Sequence, residues 1–102
     1  MSEEFIRKIS AKTGKVVSEH ERDYLLILTN VKEENVVICF RESSWGYYTK
    51  VVLEKNLSFI NCTEAEYSPY GLYVFAQNID ELVEKTYSKI INLITRNKTS
   101  FA

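Results

Sequence analysis

From Asn78 onward the chain sets Ile79, Leu82, Val83, Tyr87, Ile90, Leu93 and Ile94 at spacings of three and four, with Glu81, Glu84, Lys85, Lys89 and Arg96 between them. That is the 3.6-residue period of an α-helix laying one stripe on a core. Asn78 suits the N-cap, and Glu81, three residues on, can reach back to complete a capping box. Acids lead and bases trail, as the helix dipole favours. The pattern predicts an amphipathic helix over residues 78–96.

A different pattern precedes it. DYLLILTN and NVVICF are short apolar runs rich in β-branched residues, separated by a polar connector, and their lack of alternation predicts strands covered on both faces. YYTKVVLEK alternates: Tyr47, Thr49, Val51 and Leu53 share one face, while Tyr48 and Lys50 share the other. LSFINC and LYVFAQ complete an estimate of five strands, with the turn-rich TEAEYSPYG between them. At the amino terminus two patterns compete. Ser2, Phe5, Ile6 and Ile9 fit a short capped helix, whereas FIRKIS, AKTGK and VVSE fit a hairpin turning at Gly14. The hairpin is favoured here, because Val16 and Val17 suit a strand. The expected fold is α+β: a single domain over residues 1–102, an antiparallel sheet of about five strands with the C-terminal helix packed on one face.

Composition then narrows the class. A chain of 102 residues buries enough surface to fold around one core without metal or disulfide. The formal net charge of −1 gives no domain-wide basic footprint for nucleic acid. MSEEFIRKIS begins with acids where a secretory leader would be cationic and then apolar, and no apolar run reaches a membrane span. The expected setting is therefore intracellular (cytoplasmic), away from membranes, with Cys39 and Cys62 as reduced, packed thiols.

Catalytic and metal patterns fail on their own requirements. ISAKTGKVV has the Gly-Lys of a phosphate-binding loop but Ile9 where the first glycine belongs and Val16 where a hydroxyl is needed. SEHERD surrounds the single histidine, His20, with acids, yet strand neighbours alternate in direction and the common zinc sites pair histidines. Cys39, between Ile38 and Phe40, reads as core rather than nucleophile. The expectation is a non-enzymatic protein with no cofactor and no metal.

The aromatic content is what stands out. Trp45, Tyr47, Tyr48, Tyr67, Tyr70 and Tyr73 crowd one part of the chain, several beside the turn residues Gly46, Pro69 and Gly71. Such side chains offer rigid area with a polar handle and dominate binding energy at interfaces. They are the expected partner-binding residues, against the alternative that they close the edges of a small core. With Arg41, Lys50 and Lys55 on one face they would instead stack nucleic-acid bases, the less favoured reading. GLYVFAQNIDELVEKTYSKIINLI, a strand entering a capped helix, is similar to the end of HicB-type antitoxin domains over less than a quarter of the chain, without the Pro-Gly-Cys-like turn before the strand. The functional expectation is a small interaction module that binds a protein or peptide, with a homodimer as one assembly. An inhibitor or antitoxin-like protein of viral, phage or defence context is an instance of that class.

Overall fold

The computed structural model describes the backbone of residues 2–99 and side chains as far as Arg96. The order of elements is α1 (Ser2–Thr13), β1 (Val16–Glu21), β2 (Tyr24–Val31), β3 (Glu34–Ser43), β4 (Gly46–Leu53), a 3-10 turn (Glu54–Asn56), α2 (Cys62–Tyr67), β5 (Leu72–Ala76) and α3 (Ile79–Thr99). The strands form one antiparallel sheet in the order β1-β2-β3-β4-β5, so each pairs with its neighbours in sequence. The α+β expectation holds, with five strands and a C-terminal helix on one face.

Local chemistry sets the joints. Gly14, at φ +97°, ends α1 in the left-handed region and donates its N–H to the Ser10 carbonyl at 2.7 Å. Lys32 and Glu33, at φ +50° and +70°, form the mirror-image turn that suits the twist of the β2–β3 hairpin. At Gly46 a side-chain carbon would meet the Ala76 carbonyl oxygen at 2.6 Å, so β4 and β5 can close up only around a glycine. Asn78 caps α3, its side-chain oxygen accepting from the Glu81 N–H at 2.8 Å.

The main core fills the space between the sheet and the two long helices. Leu25, Ile27, Val36, Ile38, Phe40, Val51, Leu53 and Val74 point down to Phe5 and Ile9 of α1 and to Leu82, Ile90 and Ile94 of α3. Phe5 stacks on Phe40 at 4.9 Å, and Phe40 stacks on Tyr47 at 6.0 Å. The helices are joined along their outer sides by Lys8–Asp80 and by Lys12–Glu84 at 2.6 Å. A smaller core lies on the other, outer face, where Leu26, Val37, Cys39 and Val52 pack beneath Cys62 and Ala65 of α2.

Three expectations are corrected. The amino terminus is a helix followed by a strand, not a hairpin over FIRKIS and VVSE. Phe5 and Ile9, one turn apart, both bury against the sheet, and Gly14 is the helix stop. LSFINC is not a strand. Asn61 instead caps α2 by accepting from the Glu64 N–H at 2.7 Å, and the fifth strand is β1. The cysteines are not free thiols: the turn into α2 brings Cys62 over β3, 5.7 Å from Cys39 between Cα atoms, and they form a disulfide. Among the described residues no helix is long and apolar enough to cross a membrane.

Candidate functional site

Register builds the outer face in rows. Tyr48 pairs with Arg41 on one side and Phe75 on the other, while Lys50 lies between Cys39 and Tyr73. Tyr24 stands beside Arg41, whose guanidinium lies over its ring at 5.5 Å. α2 and the segment leading to it cover the rows toward Leu26, Val37 and Val52. The row of Arg41, Tyr48 and Phe75 is left open.

On that open part the aromatic rings form one cluster. Trp45 lies 5.7 Å from Phe75, Tyr48 5.8 Å from Phe75, and Tyr73 6.0 Å from Phe75 and 6.3 Å from Tyr48. These are the offset and tilted spacings that aromatic pairs prefer. Trp45 and Phe75 are each 52% exposed and Tyr73 40%. Rings packed mainly on one another leave apolar area in water, which marks interaction surfaces when it is contiguous.

Beneath the cluster a polar network fixes the wall toward α2. The Tyr73 hydroxyl donates to the Glu66 carboxylate at 2.8 Å, and the Tyr24 hydroxyl donates to its other oxygen at 3.0 Å. Burial, and then the bond to Glu66, push the Tyr73 phenol up to about 12. Burial raises Tyr24 as well, reinforced by Tyr48 and Glu66. Lys50 is only 2% exposed: its ammonium donates to the carbonyls of Glu66 at 3.1 Å and Ser68 at 2.9 Å and sits 4.3 Å from the Tyr73 ring centre. Burial lowers its pKa against the pull of Glu66. Lys50 is therefore a fastener that ties the end of α2 to the sheet, not a surface base.

The structure sorts the residues expected to bind. Trp45, Tyr48 and Tyr73 come together. Tyr47 points to the opposite face and is buried against Phe40. Tyr67 and Tyr70 are exposed but lie apart from the cluster, Tyr67 beside the β1–β2 turn and Tyr70 ahead of β5. The three bases do not align: Lys50 is buried, and Lys55 lies past the far end of β4, paired with Glu34 at 3.5 Å. Phe75 is the member that sequence reasoning missed. The two-residue period of a strand was the signal available, since a surface Tyr73 places Phe75 on the same face.

β5 closes the sheet on this side, and its free edge adjoins the cluster. Across the β3–β4 hairpin Ser43 pairs with Gly46, leaving Ser44 and Trp45 as the loop. A loop that short makes Ser43–Gly46 a hydrogen-bonded pair, and antiparallel pairs alternate. Tyr48 and Lys50 therefore turn their peptide groups to β3, and Thr49 and Val51 turn theirs to β5. On β5, Leu72, Val74 and Ala76 receive them, so the peptide groups of Tyr73 and Phe75 point off the sheet. The Lys85 ammonium reaches the Phe75 carbonyl at 3.3 Å from that side. Comparison with known families, with curated proteins and with solved structures finds no match to this chain.

Proposed function

We propose that the protein is a small non-enzymatic interaction module that holds a protein or peptide partner on the cluster of Trp45, Tyr48, Tyr73 and Phe75. One observation carries this reading: four rings meet on the part of the outer face that α2 leaves uncovered, with Trp45 and Phe75 half exposed. A core needs none of that area in water, whereas a partner would bury it and gain roughly 25 cal/mol per Å² of apolar surface before the costs of association. Inhibitors and antitoxin-like neutralisers are proteins of this kind. Nucleic acid is the weaker alternative, because Lys50 and Lys55 are spent elsewhere. The cell interior stays the proposed setting, with Cys39–Cys62 then a bond that the cellular thiol pool acts on.

The test uses the whole chain as bait in three forms: unaltered, Trp45→Ala and Phe75→Ala. The reading predicts a partner retained by the unaltered chain and lost from both variants, with melting temperatures within about 4 °C of the parent. Capture that is indifferent to both substitutions contradicts it. So does a steep fall in melting temperature, which would make the rings part of the core.

A further inference from the structure

We propose that β5 accepts an extended, acidic–apolar peptide segment of a partner as a sixth strand. Its apolar side chains would lie on Tyr73 and Phe75 and its carboxylates against Lys85 and Lys89. The proposal rests on the reading of the aromatic cluster as a docking surface and adds what docks there and how.

The backbone supplies the first half. Tyr73 and Phe75 direct their N–H and C=O groups off the sheet, and among the described residues no strand pairs with them. An added strand completes these hydrogen bonds, and its side chains then alternate between the two faces. On the outer face they meet Tyr73 and Phe75, with Trp45 behind Phe75 at 5.7 Å. Aromatic and β-branched residues make the favourable cross-strand pairs there.

Charge supplies the second half. On the helix side of the same edge a groove runs between β5 and α3, lined by Val74, Phe75, Lys85, Ser88 and Lys89. Lys85 closes the edge by holding the Phe75 carbonyl, and it keeps Glu81 as an ion partner at 3.0 Å. Lys89 makes no ion pair among the described residues. Every second side chain of an incoming strand faces these two ammonium groups, so carboxylates fit and bases do not. Lys85 would pass from the Phe75 carbonyl to the incoming carboxylate as the strand takes over that carbonyl.

The same groove argues against a second copy of this chain as the occupant. Two β5 strands related by a twofold axis would set Lys85 and Lys89 of one protomer across from those of the other. Like charges so juxtaposed disfavour that pairing.

The test is a titration of the full chain, followed by Trp45 fluorescence, with blocked peptides of about ten residues, the upper range of a strand. The first alternates Val or Phe with Glu. The second carries Lys in place of Glu. The third and fourth are the Glu peptide N-methylated at alternate peptide nitrogens, in one phase and in the other, each of which removes the donors of one edge. The proposal predicts binding of the Glu peptide at least about tenfold tighter than the Lys peptide, about 1.4 kcal/mol. N-methylation on the pairing edge should abolish binding, and a protein carrying Lys85→Glu with Lys89→Glu should prefer the Lys peptide. Equal binding of the Glu and Lys peptides overturns the proposal, as does indifference to methylation on either edge or failure of every peptide to bind. If partner capture depends on Trp45 and Phe75 while no peptide binds, strand addition fails and the aromatic reading stands. If capture ignores both rings, the aromatic reading fails whatever the peptides do.

Discussion

The two edges of the sheet present the same backbone and opposite chemistry. β1, VVSEHE, shows water Ser18, Glu19 and His20, with Val17 its exposed apolar side chain. β5, LYVFA, shows Tyr73 and Phe75. Charged side chains are a common way to keep an edge from pairing with another chain. β1 carries such a guard within the strand. At β5 the guard comes from outside, as Lys85 reaching over from α3. A built-in guard is permanent, whereas a lysine on a flexible stem can yield to a better partner. The difference teaches that side chains decide how a sheet edge is closed: β1 carries its charges within the strand, and β5 borrows a lysine from α3.

The largest effects should come from breaking the ladder that makes β5 an edge. Val74→Pro removes a donor aimed at β4 and disturbs a site where Val74 is 2% exposed, and should cost about 2 kcal/mol or more in chemical denaturation. Phe75→Pro removes a donor aimed at solvent and should cost only about 1 kcal/mol while abolishing strand addition. Equal losses would mean that the assigned alternation is reversed.

Reduction of Cys39–Cys62, which closes a loop of sequence separation 23, should cost about 3 kcal/mol. It frees the Cys62 end of α2 from β3, while Lys50 and Tyr73 still hold the Glu66 end to the sheet, so Trp45 emission should stay unchanged below the unfolding transition. A spectral shift on reduction alone would show that the cluster depends on α2.

A smaller effect lies at alkaline pH. Tyr73 and Tyr24 bind their protons more tightly folded than unfolded, so their contribution is complete below the ordinary phenol value of 10.0 and is lost as pH climbs toward about 12. Lys50 acts in the opposite sense: its lowered pKa makes stability rise with pH between that value and 10.5. Melting temperatures should therefore fall above about pH 10, and Tyr73→Phe should flatten that fall. A profile that Tyr73→Phe leaves unchanged would remove Tyr73 from the account.

The smallest effects belong to the closed edge. Glu19→Ala and His20→Ala should change stability by less than about 0.5 kcal/mol and leave peptide affinity where it was. A loss of binding on either change would move the docking site to β1.

Legibility in the sequence followed the length and purity of each pattern. α3 shows its full stripe and its cap, and β2 to β4 show their β-branched runs. α1 has twelve residues with few apolar positions, and a glycine that serves a hairpin as well as a helix stop, so only burial of Phe5 and Ile9 decides it. LSFINC has strand composition, but β3 and β5 already occupy both sides of β4, so no place beside it is left. The disulfide was hidden for a related reason: six-residue α2 carries no periodic signal, and without it nothing places Cys62 over Cys39. Within the site, alternation grouped Tyr47 with Val51 and Leu53, the more apolar set. That grouping identifies Tyr47 as core and Tyr48 as surface. The edge role of β5 and the reach of Lys85 depend on contacts between distant segments, which no local pattern encodes.

The most direct measurement is residue-by-residue amide hydrogen exchange, on the free chain and on the chain saturated with the Val/Phe–Glu peptide. In the free chain the amides of Tyr73 and Phe75 should exchange quickly at every protein concentration, and on saturation both should become protected while Ser18 and His20 on β1 stay as they were. Protection of Tyr73 and Phe75 that grows with protein concentration alone would show self-pairing at β5. Protection arising at β1 in place of β5 would contradict the assignment of the open edge.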